Sequence, residues 1–193
     1  MRPSRDELER LWLHAYARSS FNEAHQWLDL LPKTKRDSPT MQAILCAAVV
    51  AYARPFSRFR VTATKEVAPL SGIAPPKHLR QNHREAIDLR NKVIGHKDSL
   101  PAKYHTSTPN IVLLHVTKTY FEMHTTVVGS MEEPTRAALK ELCIFYREYC
   151  EGIIKPLTKA YFSEVMKRSP GIYELIVCDS PGDWLRPFHP QKA

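Results

Sequence analysis

The chain has 193 residues, 43% of them hydrophobic, with 28 Lys and Arg against 20 Asp and Glu and a formal net charge of +8. That length holds the core of one domain, and no apolar run reaches the roughly 18–20 residues that span a bilayer, which sets aside a membrane-spanning protein. The excess of positive charge favours polyanionic partners, nucleic acid first.

Ser4-Arg5-Asp6-Glu7 is a capping box, so a first helix is predicted to start there, with Leu8, Leu11, Trp12 and Tyr16 as its apolar stripe. Ser20-Phe21-Asn22-Glu23 repeats the pattern and predicts a second, separate helix through Trp27, Leu28 and Leu31, ending before Pro32. Ser38-Pro39 opens the next helix, serine as N-cap and proline at the first helical position. Met41, Ile44, Leu45, Ala48, Val49 and Tyr52 are its inward residues, and Arg54 ends it before Pro55. Residues 57–75 read as a long irregular connection carrying Arg58, Arg60 and Lys65, either a plain excursion or a basic lid. Pro76 then starts a further helix.

Between 111 and 128 the period changes to two: Val112, Leu114 and Val116 alternate with Ile111, Leu113 and His115, and Phe121, Met123, Thr125 and Val127 with Tyr120, Glu122 and His124. A turn centred on Lys118-Thr119 sets Val116 against Phe121 and Leu114 against Met123, which predicts a hairpin laid on the helices. Ser130 to Pro134 starts a long final helix whose stripe includes Leu139, Leu142, Phe145, Tyr146, Tyr149, Ile153, Leu157 and Phe162, with a kink expected at Pro156. The reading is one mainly helical domain over 1–168, a bundle of four or so helices with an inserted hairpin at about 111–128. A Pro- and Gly-rich tail, 169–193, packs on that domain or on a partner subunit.

The four cysteines, Cys46, Cys143, Cys150 and Cys178, form no Cys-x-x-Cys pair, and three of them sit in apolar helical stretches. That is a reduced, intracellular pattern. The charged start Met1–Glu7 holds no signal-peptide core, and a cytoplasmic protein is expected. The six glycines are scattered, so neither a P-loop nor a dinucleotide fingerprint is present. His78 and His83 are badly spaced for a metal on a helix, and no cofactor or metal is expected.

The stretch that carries chemistry is Ala86 to His96. At about 100° per residue, Leu79, Ala86, Ile87, Leu89, Val93 and Ile94 make one apolar arc, while Arg84, Asp88, Asn91 and Lys92 lie opposite. Arg90 falls inside the apolar arc, with His83 on the same side. A guanidinium keeps its charge, so that placement calls for an anion or for snorkelling to the rim. Gly95 releases the helix, and His96 stands at its end, either a reacting imidazole or a solvated cap.

Arg90-Asn91-Lys92-Val93-Ile94-Gly95-His96 resembles the Arg-x(4–6)-His motif of the HEPN superfamily, and Tyr52-Ala53-Arg54-Pro55-Phe56 is similar to a helix end in bacterial abortive-infection proteins of that kind. The resemblance spans about residues 38–168. Arg18 and His25 meet the same loose spacing, across the predicted break between the first two helices. What the resemblance implies is a HEPN-like bundle acting as a metal-independent RNA endonuclease of the defence or toxin type, dimeric, with RNA as substrate and a neutralising antitoxin as a further partner. His96 would be general base or acid, Arg90 would hold the scissile phosphate, and Asn91 would position a phosphate oxygen or the His96 ring. Arg54 is a second phosphate contact or a helix-dipole counter-charge. His83 is a catalytic partner or a hydrogen-bonded core histidine. The competing class is a non-catalytic nucleotide- or RNA-binding or assembly module, in which an internal carboxylate such as Glu141 or Asp88 would satisfy Arg90.

Overall fold

The structure, a computed structural model, describes residues 3–33, 38–57, 59–62, 65–67, 69–94, 112–116, 121–125, 133–171, 173–175 and 184–187. It is mainly α-helical, with four helices packed as a bundle: α1 (Arg5–Leu30), α2 (Pro39–Ala53), α3 (Arg80–Asp88, continued by a π-helical turn over Leu89–Ile94) and α4 (Glu133–Val165). The Ser4 hydroxyl accepts from the Glu7 backbone N–H, and the Glu7 carboxylate accepts from the Ser4 N–H at 2.8 Å, closing the capping box of α1. At α2 the Ser38 hydroxyl accepts from the Met41 N–H at 3.1 Å, with Pro39 in the first turn.

α1 runs unbroken through Ser20, so the second cap expected there does not form, and Arg18 and His25 lie on one helix rather than across a break. Both side chains are claimed by other partners. Ser20 is 2% exposed and its side chain hydrogen-bonds Tyr16, while Glu23, the other half of the expected box, reaches across to Arg54. His25 pairs instead with Asp29, at 3.1 Å.

α1 lies between α2 and α4 and packs against both, while α3 and its π turn pack on α2. Phe21 is the centre of the core. It stacks on Tyr146 with ring centroids 5.2 Å apart and meets Tyr52 and Phe56 at 5.8 and 5.7 Å. Leu28, Leu45, Val49, Leu139, Leu142, Cys143 and Cys150 fill the layer around it. The buried face of α4 descends through Leu139, Leu142, Tyr146, Cys150, Ile154 and Tyr161. Phe162, expected on that stripe, is 61% exposed. It sits one residue, about 100°, off a face that Tyr161 already occupies.

Three two-stranded antiparallel ladders stand outside the bundle's elements: β1 (Phe59–Thr62) with β2 (Lys65–Val67), β3 (Val112–Val116) with β4 (Phe121–Thr125), and β5 (Tyr173–Leu175) with β6 (Leu185–Pro187). The first falls in the stretch expected to be irregular. After it Leu70 returns to the core and donates its N–H to the Pro55 carbonyl at 2.8 Å. In the second, Val116 stands opposite Phe121 and Leu114 opposite Met123; the turn assigned to Lys118-Thr119 lies outside the described residues. In the tail, Trp184 and Leu185 are buried with Leu8 and Tyr161, and the Trp184 and Tyr161 rings meet edge to face at 6.0 Å. Those tail residues therefore cover the start of α1 and the end of α4 of their own chain. No helix among the described residues is long and apolar enough to cross a membrane.

Candidate functional site

Pro76 leads into a 3-10 turn, Lys77–Leu79, whose Leu79 is 2% exposed and anchors the start of α3. Ala86 and Leu89 continue the buried face. From Leu89 the backbone widens from the i→i+4 to the i→i+5 bonding of a π turn, an irregularity that recurs at functional positions. Arg90 and Asn91 sit in that turn, both half-buried.

The Arg90 Nη1 donates to the Asn91 side-chain oxygen at 2.8 Å. The two residues are neighbours in the chain, so the guanidinium bends back along the turn to make this bond. The bond ties the cation to a polar neighbour. Among the described residues no carboxylate forms an ion pair with Arg90, and Glu141 is bonded to His78 Nε2 at 2.9 Å. The pairing occupies one of the two lone pairs of the Asn91 oxygen. What remains is the amide N–H₂ and the unused guanidinium N–H groups, a set dominated by donors. Such a set suits the oxygens of a phosphate.

His83 does not join them. Its Nδ1 lies 2.7 Å from the Tyr52 hydroxyl, a hydrogen bond between α3 and α2. Its ring stands against Phe56, Tyr146 and Tyr52 at 4.8, 5.7 and 6.0 Å. Burial lowers its pKa, so the imidazole is held neutral. The Tyr52 hydroxyl is shifted the opposite way, its pKa raised by burial and by Tyr146. The Tyr146 hydroxyl, also buried, has no hydrogen-bond partner among the described residues, and burial pushes its pKa up to about 12.

Arg54 is also engaged elsewhere. It caps α2, and its Nη1 donates to Glu23 Oε2 of α1 at 2.9 Å. Both partners are about four-tenths exposed, 39% and 43%. Gly95 and His96 lie outside the described residues. Of the residues singled out from the sequence, the structure thus brings Arg90 and Asn91 together, ties His83 to Tyr52, and ties Arg54 to Glu23.

The sequence reading missed Glu23, which the capping pattern had claimed, and Tyr146, read only as part of an apolar stripe. The signal for both was there in outline: an acid and a phenol on two long helices that build the core around α2. Among the described residues, no three His, Cys, Asp or Glu side chains gather where a metal ion would sit. Comparison with family models, with curated proteins and with solved structures gives no match to this chain.

Proposed function

We propose that this protein is a HEPN-like, metal-independent RNA endonuclease of the defence or toxin type. The observation that carries the reading is the Arg90–Asn91 pair: a permanent cation in a π turn that closes a core helix, with no carboxylate on it among the described residues and mainly donors left to offer. The net charge of +8 agrees with a polyanionic substrate.

The chemistry follows from those parts. The ribose 2′-OH gives its proton to a base, the role the motif assigns to His96, and its oxygen attacks the adjacent phosphorus. Arg90 and Asn91 hold the non-bridging oxygens and stabilise the charge that builds on them in the pentacovalent transition state. The bond from phosphorus to the 5′-oxygen breaks, and the leaving oxygen takes up a proton. The products are a 2′,3′-cyclic phosphate and a 5′-OH. A second copy of the chain, in a homodimer, supplies the second imidazole that separates the acid from the base. An antitoxin that neutralises the enzyme would cover the same cations.

Incubation of mixed RNA in EDTA tests this, with wild type beside Arg90→Ala and His96→Ala. Cleavage by wild type that both substitutions abolish, leaving cyclic-phosphate ends, is the expected result. Intact RNA with wild type, or cleavage that survives both changes, discards the enzyme. Intact RNA together with Arg90-dependent binding assigns the site to a non-catalytic RNA-binding module. Growth arrest on expression, lost in the same variants, tests the toxin role.

A further inference from the structure

α3 and the 3-10 turn that leads into it carry cations that the cleavage chemistry does not use. Lys77, Arg80 and Arg84 are all exposed, at steps of three and four residues along one side. The Arg80 Nε donates to the Pro75 carbonyl at 3.3 Å, and the Arg84 Nε donates to the Arg80 carbonyl at 3.4 Å. Both bonds use the inner nitrogen and leave the outer guanidinium N–H groups to solvent. The main chain thus steadies each side chain, which lowers the entropy lost when it takes a ligand.

Among the described residues no carboxylate pairs with Lys77, Arg80 or Arg84. The nearby acids are otherwise engaged. Glu85 accepts from Gln81 Nε2 at 2.6 Å, and Glu141 of α4 holds His78. Four residues of helix separate Arg80 from Arg84 by about 6 Å along the axis, close to the repeat of successive phosphates in an extended strand. Asn91, which holds Arg90, comes eleven residues after Arg80, about three turns further along the polar side.

We propose that Lys77, Arg80 and Arg84 form a phosphate-binding row that lays single-stranded RNA along α3 and feeds its backbone to Arg90. The inference takes its ligand class from the nucleic-acid reading above. A single strand is the form the site requires, because a 2′-OH lines up with the leaving 5′-oxygen only where the sugar–phosphate torsions are free, and an A-form duplex fixes them. A straight row on one helix also contacts a single backbone, whereas duplex RNA is read across successive minor grooves.

The test is fluorescence anisotropy of a short labelled oligouridylate, and of its deoxy counterpart oligothymidylate, with the full chain in EDTA over a salt series. Oligothymidylate has no 2′-OH, so its binding is read without cleavage. Arg80→Gln with Arg84→Gln is expected to weaken binding roughly tenfold at low salt and to reduce the slope of log affinity against log salt by about 1.4, at about 0.7 for each phosphate contact. Lys155→Gln with Lys159→Gln removes the same charge from the exposed end of α4 and is expected to leave that slope unchanged. Arg80→Lys with Arg84→Lys keeps the charge and should keep the wild-type salt slope, which separates a lost contact from a lost fold.

No binding by wild type, no effect of the arginine-to-glutamine pair, or equal weakening by both glutamine pairs overturns the row. The two proposals fail separately. RNA left intact by wild type, with binding that follows Arg80 and Arg84, discards cleavage and keeps the row. Cleavage and binding indifferent to Arg80 and Arg84 discard the row and keep the enzyme.

Discussion

Tyr52 and His83 meet at 2.7 Å, hydroxyl to Nδ1, and so bolt α3 to α2 through one polar contact inside an aromatic cluster. This contact sets a pH dependence. Burial holds His83 and His14 below their ordinary value of 6.5. The folded chain therefore binds fewer protons than the unfolded chain as pH falls past 6.5, and the unfolded state gains by protonation. Stability is full above that value and declines below it. Denaturant midpoints at about pH 7.5 and about pH 5.5 measure the loss, and His83→Gln should reduce the difference between them. An unchanged difference would mean that His83 does not carry it.

The two buried phenols beside that histidine should respond in opposite directions. Tyr52→Phe removes one partner of a made hydrogen bond and is expected to cost about 1 kcal/mol. Tyr146→Phe removes a buried hydroxyl that has no partner among the described residues, and is expected to stabilise by about 1 kcal/mol. Thermal or urea unfolding of the two variants decides this, and destabilisation by Tyr146→Phe would show that its hydroxyl is satisfied.

How far the sequence could be read depends on which interactions compete for the same side chain. Ser4 and Ser38 face solvent chain ends, so their capping patterns meant what they usually mean. Ser20 and Glu23 spell the same pattern, but Tyr16, one turn earlier on α1, and Arg54, at the end of α2, claim the two side chains, and a buried serine in mid-helix results. At Glu23 the local pattern lost to a tertiary contact. At the site, the charge of Arg90 against an apolar arc was legible from the helical wheel. Its capture by Asn91 was not, because the wheel assumes α-helical spacing and the chain turns π at Leu89.

The same effect appears on α4. Apolar spacing alone admits both Tyr161 and Phe162 to the stripe, and contacts from outside α4 select Tyr161: Leu8 and the Glu7 carboxylate of α1, and Trp184 from the tail. Tyr161→Ala should therefore cost about 3 kcal/mol, as removal of a buried ring does. Phe162→Ser should stay within about 0.5 kcal/mol of wild type. Comparable losses at the two positions would place Phe162 in an interface that the isolated chain leaves open.

Arg54 illustrates why a basic residue near a suspected site is weak ground for a substrate contact. Its partner Glu23 already neutralises it, and both groups are more than a third exposed, so solvent screens the pair. Arg54→Ala is expected to cost no more than about 1 kcal/mol of stability. RNA cleavage should stay near wild type. A large loss of cleavage in a folded Arg54→Ala protein would put this guanidinium on the substrate after all, with Glu23 released when RNA binds.

Arg90 and Asn91 should part company kinetically. If Arg90 stabilises charge that exists only in the transition state, Arg90→Ala lowers kcat and kcat/KM together, by roughly a hundredfold or more, as removal of one such donor does. Asn91→Ala leaves the cation in place but frees it from that tie, so cleavage falls through misplacement, and a weaker loss is expected. Asn91→Asp makes the sharper comparison. A carboxylate at 2.8 Å would bind the guanidinium better than the amide does, and would also repel the phosphate. A site that works by offering mainly donors should therefore be more damaged by Asn91→Asp than by Asn91→Ala, chiefly in KM. The opposite order, with the aspartate nearly as active as wild type, would mean that Arg90 is held for structure and meets no anion.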